Sequence, residues 1–159
     1  MWPMITIMPE DAMHRLRVVP FALALMLGAG AAHAEGSFGV FDAWIRQAPP
    51  GATMLAGYAT LKNSGDAPIT VLTVQSDAFR MTSLHETIVA NEVAKMREVH
   101  RLVVPPGGEV RMEPGGRHLM LMQPRHEIVV GDKIEVVFLL LDGTRVQTYF
   151  NVLAADASD

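Results

Sequence analysis

The sequence has 159 residues, 50% of them hydrophobic, with a formal net charge of −4. That length builds one domain with its own core rather than two ordinary ones, and the apolar content argues against wholesale disorder. There is no basic excess to hold nucleic-acid phosphates. The absence of cysteine removes disulfides, thiolate zinc sites, iron–sulfur clusters, a Cys nucleophile, a lipid anchor on Cys and the His₂Cys blue-copper centre.

In chain order, the first element is an address. Residues 18–32 read VVPFALALMLGAGAA, preceded by Arg15 and Arg17 and followed by Ala32-His33-Ala34. A cationic start, a short apolar middle and a small-residue end predict a secretory signal peptide over residues 1–34, cleaved after Ala34. Glu10 and Asp11 spoil the cationic start, so translation from Met13 gives the cleaner signal. No later segment is long and apolar enough for a membrane span. The expected product, residues 35–159, is exported to a bacterial periplasm.

Turn signals then recur: Pro49-Pro50-Gly51, Asn63-Ser64-Gly65-Asp66, Ala90-Asn91, Pro105-Pro106-Gly107-Gly108, Gly115-Gly116, Gly131-Asp132 and Asp142-Gly143. Their spacing is that of short antiparallel strands, and no interval carries the 3.6-residue period of a good helix. Strands are predicted over 39–46, 54–62, 69–76, 80–89, 93–99, 109–112, 117–122, 133–141 and 145–152. Ile134, Val136, Phe138 and Leu140 share one face; Val146, Thr148, Phe150 and Val152 share another, across a hairpin turn at Asp142-Gly143. Nine short strands without helices predict an all-β sandwich of two packed sheets. The tail from Ala154 to Asp159 reads as frayed.

The chemistry concentrates in His85, Met96, His118 and Met120. In His118-Leu119-Met120-Leu121-Met122, side chains two apart point the same way, so the leucines are the natural core pair. Imidazole and thioethers are left on the other face. Outward methionines beside histidine have little packing rationale, whereas thioether sulfur selects Cu(I) and imidazole also suits copper. Thioethers need no deprotonation, so only the histidines compete with protons. Met54, Met81 and Met112 read as core filler, and His126 as a loop residue. If 93–99 runs straight, Met96, Glu98 and His100 share a face, which makes Glu98 and His100 outer-sphere candidates. The same argument makes Met122 a candidate substitute ligand.

The spacing H-x10-M-x21-H-x-M resembles the copper-binding signature of the periplasmic copper chaperone PCuAC family. Asp42-Ala43-Trp44-Ile45-Arg46, Gly57-Tyr58-Ala59-Thr60-Leu61, Leu84-His85-Glu86-Thr87 and Pro114-Gly115-Gly116-Arg117-His118-Leu119-Met120-Leu121 are similar to family sequence, and the likeness runs from Phe38 to Val152. It implies a cupredoxin-like Greek-key β-sandwich or barrel binding one Cu(I) per chain through His85, Met96, His118 and Met120. It implies a metallochaperone rather than an enzyme, delivering copper to the Cu(A) site of cytochrome oxidase subunit II or another apo acceptor, with Sco-type thiol proteins as co-workers. Some members carry a His- and Met-rich C-terminal extension; here the chain ends Ala154-Ala155-Asp156-Ala157-Ser158-Asp159, so one principal site is expected. The competing expectation for the same site is sequestration without delivery.

Overall fold

The computed structural model describes residues 38–156. The expected signal peptide over residues 1–34, its expected cleavage point, the choice between Met1 and Met13, and the last three residues of the tail lie outside them. Among the described residues there is no helix, hence none long and apolar enough to cross a membrane.

Ten strands follow one another: β1 (Phe38–Arg46), β2 (Met54–Asn63), β3 (Ile69–Gln75), β4 (Phe79–Ala90), β5 (Val93–Glu98), β6 (Leu102–Val104), β7 (Glu109–Met112), β8 (Arg117–Pro124), β9 (Lys133–Leu140) and β10 (Arg145–Leu153). Nine of them match the expected strands to within two residues. The tenth, β6, has three residues, too few for an alternation to show before Pro105. At the other limit, β5 ends at Glu98, one residue short of expectation, and His100 lies in the bend beyond it.

The hydrogen-bonded order is β5-β4-β8-β2-β1-β10-β9-β3-β6, with β7 also on β2. The expected two sheets are therefore one continuous path. The join is β1, which pairs antiparallel with β2 and also, at Trp44–Arg46, parallel with β10. A bulge in β1 between Phe41 and Trp44, with Asp42 at φ 49°, precedes that second pairing. Such an extra residue bends a strand and raises its twist, which lets the path curl so that both halves line one core.

The core joins Ile45, Leu61, Val71, Val74, Leu119, Leu121, Val136, Phe138, Phe150 and Val152 from both halves. Ile134, Val136, Phe138 and Leu140 are all buried, as their alternation predicts, and so are Phe150 and Val152; Val146 and Thr148 are half-buried. Among the described residues, Asn63 is the one fully buried polar side chain. Its amide donates to the carbonyls of Ala67 (2.7 Å) and Val104 (3.2 Å), and its Oδ1 accepts from Gly65 N–H (2.9 Å). These bonds tie the end of β2 to the following turn and to β6.

Candidate metal centre

Strand β8 lies between β4 and β2, and β4 lies between β8 and β5. In β8, Leu119 and Leu121 are fully buried and commit one face to the core. His118, Met120 and Met122 take the other face by alternation. The antiparallel register puts His85 opposite His118, Ser83 opposite Met120 and Met81 opposite Met122. On the other side of β4, Glu98 lies opposite His85 and Met96 opposite Thr87. Directly paired residues point to the same side, so His85, Met96, His118 and Met120 share one face of three neighbouring strands. Met96 is diagonal to His85, across from the residue two positions on.

The two imidazoles lie near one another, with ring centroids 6.0 Å apart and planes inclined by 29°. His118 is buried, and its Nδ1 donates to Gly116 O at 3.1 Å. That bond assigns the tautomer and leaves Nε2 with its lone pair. His85 Nε2 lies 2.9 Å from Ser83 Oγ, while its Nδ1 is buried with no hydrogen-bond partner. A buried nitrogen without a partner costs about 1–3 kcal/mol. Burial, with the nearby His118 adding to it, holds the His85 imidazole below the ordinary histidine value; Glu98 pulls the other way. Both effects keep the ring neutral and its nitrogen available as a donor.

Met120 sits between Ser83 and Ala56, its partners on β4 and β2, so small neighbours leave its thioether room to turn. Met96 is 53% exposed on β5, all six residues of which face solvent. The edge strand is held from the opposite face: Glu86 accepts from Arg97 on β5 and from Arg117 on β8, both at 2.9 Å. On the face that carries His85 and Met120, Trp44 and Tyr58 pack with ring centroids 4.6 Å apart and planes inclined by 38°, and the Arg46 guanidinium lies 5.7 Å from the Trp44 ring.

Of the remaining candidates, Glu98 pairs with His85 across β4 and β5. His100 does not continue that face, because β5 has already ended; it reaches only Glu98, at 3.8 Å. His126 is an exposed loop residue bonding Glu127 O at 2.9 Å. A concavity of about 560 Å³ between Pro49–Thr53 and Glu127–Val129 holds none of the four residues; its metal-ligand types are His126 and Glu127. Met112 is core filler, as its alternation indicates, but Met54 and Met81 are exposed. Met122 pairs with these two rather than with the histidines.

Comparison with known proteins agrees with this architecture. The family model described as "Putative lipoprotein LpqE-like" matches residues 39–152. The chain belongs to this LpqE-like family, the family of the PCuAC domains. It is 33% identical over 106 residues to "Putative lipoprotein Lxx21020" of Leifsonia xyli subsp. xyli, covering 66% of this chain and 63% of that protein's length. The chain thus spans less than two thirds of that relative. Among solved structures it resembles the copper-bound PCuAC domain from PmoF2, with TM-score 0.64 and 27% identity over 75% of this chain and 94% of that one. It also resembles CuI-DR1885 of Deinococcus radiodurans, with TM-score 0.60 and 25% identity over 75% of this chain and 80% of that one. The LpqE-like chain has their cupredoxin-like all-β fold.

Proposed function

We propose that this LpqE-like protein is an exported copper chaperone that binds one Cu(I) through His85, Met96, His118 and Met120. The observation that carries this reading is the shared face: two imidazoles 6.0 Å apart, the His85 Nδ1 without a partner, and two thioethers in register beside them. That gap is of a size one ion bridges with nitrogen bonds of about 2 Å. Two neutral imidazoles and two thioethers leave the bound ion with its single positive charge and match the softness of Cu(I). The copper-bound relatives lend support. In this reading residues 1–34 are the signal peptide and residues 35–159 the periplasmic domain.

Met96 gives the site its chaperone character. It is the exposed ligand on an edge strand, so an acceptor's ligand can displace it first while the histidines still hold the ion. We assign the Cu(A) site of cytochrome oxidase subunit II as the acceptor, with a Sco-type thiol protein as co-worker; sequestration is the competing role. Cu(I) competition against a chromophoric chelator tests the site. Wild type binds one equivalent tightly, and Met96→Leu loses affinity by about tenfold or more, since even outer-sphere losses cost that much at metal sites. Equal affinities would remove Met96. Mixing the loaded protein with the apo subunit II domain tests delivery, and retention of copper on the donor would favour sequestration.

A further inference from the structure

Five of the six methionines in the described chain lie on the metal-site face; only Met112 is in the core. Three of the five are not in the proposed site. Met54 on β2 pairs directly with Met122 on β8, which pairs directly with Met81 on β4. They form one row across three strands, with Met122 at its centre. Met54 is 49% and Met81 55% exposed, and Met122 is half-buried. Hydrophobic burial does not account for them, because their strands already commit Leu55, Leu84 and Leu121 to the core side. β-propensity does not account for them either, since exposed sheet positions favour β-branched and aromatic residues.

The geometry points to a second soft-metal site, in which the thioethers of Met54, Met81 and Met122 together bind one monovalent d¹⁰ ion, Cu(I) in the cell. Neighbouring strands lie roughly 5 Å apart, so the outer two side chains need lean only about that far to meet over Met122. Methionine is unbranched with three rotatable torsions and spans that distance. Three uncharged sulfurs select a soft ion and reject calcium, magnesium and zinc in its usual nitrogen and carboxylate sites. Met122 and Met120 are two residues apart on one strand face, about 7 Å along β8. An ion collected from solvent at the row is therefore one ligand exchange from Met120. This role as an entry site rests on the proposed function; binding by the row does not.

The test is a titration of the protein, labelled with ¹³C at its methionine methyls, with Ag(I) as a redox-inert probe. The first equivalent is expected to move the Met96 and Met120 methyls. The second should move Met54, Met81 and Met122, with Met112 as the unmoved internal reference. In the Met54→Leu/Met81→Leu variant, whose changes lie on exposed positions, the second event should disappear while the first persists. If the three methyls stay put through two equivalents, or move equally in that variant at Met122, the second site does not exist. If they move while Met96 and Met120 do not, the row stands and the His–Met site fails.

Discussion

The Nδ1 of His85 is buried and unpartnered, whereas His118 has its Nδ1 anchored on Gly116. The pair differs in preparation: one ring is oriented by the backbone, the other is kept neutral by its surroundings. This has a consequence for the metal-free protein. The folded state holds the His85 value below the ordinary one, through burial first and His118 second, so the unfolded chain takes up a proton more readily. Its contribution to stability is whole above about pH 6.5, and it declines as pH falls through that value toward the folded one. The urea midpoint of apo wild type should fall between pH 7.5 and 5.5 by more than that of His85→Gln. Identical declines would show that the ring is not perturbed. Asn63 is a purely structural counterpart: Asn63→Ala strands two carbonyls and an N–H and should cost about 1–3 kcal/mol in chemical denaturation.

At the scale of the strand, β8 divides its labour by alternation. Leu121→Ala opens a cavity in the core and should cost about 2–5 kcal/mol. Met120→Ala, one residue away on the other face, should leave apo stability within about 1 kcal/mol while lowering Cu(I) affinity; surface substitutions seldom do more. This division is legible in the sequence, because a period of two is a local property. What local reasoning misplaced was Met54 and Met81. Alternation says which residues travel together, but methionine suits a core as well as a metal, so residue type could not say that these two were outside. The β4–β5 hairpin was legible only in part. Ala90 pairs with Val93 across Asn91 and Glu92, at φ 52° and 63°, a two-residue turn of the type I′ kind. Asn tolerates that conformation; Glu does not, at about 1 kcal/mol or more. Glu92→Gly should therefore raise stability by about 0.5–1 kcal/mol in urea melts, tightening the hairpin that carries Met96. A loss would mean that the turn is formed differently.

At the scale of the molecule, the four proposed ligands come from three strands, so copper binding tests the whole sheet. An ion that binds only the folded chain stabilises it by RT ln(1 + [L]/Kd), about 2.7 kcal/mol at a free concentration of 100 Kd. For a domain of this size that corresponds to a rise in Tm on the order of 10 °C. Met96→Leu should shrink the rise without changing the apo Tm appreciably. Scanning calorimetry with and without Cu(I) under reducing conditions checks both statements.

The sequence by itself determined nine of the ten strands, which residues of a strand share a face, and a donor set whose softness suits Cu(I). All of these follow from a two-residue period and from side-chain chemistry. Tertiary structure decided which strands became neighbours: β8 beside both β4 and β2, and β1 bridging to β10 so that one continuous path replaced two sheets. Register between distant strands is set by closing long loops over a shared core, which no local period encodes. That is why the pairing of His85 with His118 could only be expected, and why the row from Met54 through Met122 to Met81 became visible only once the three strands lay side by side.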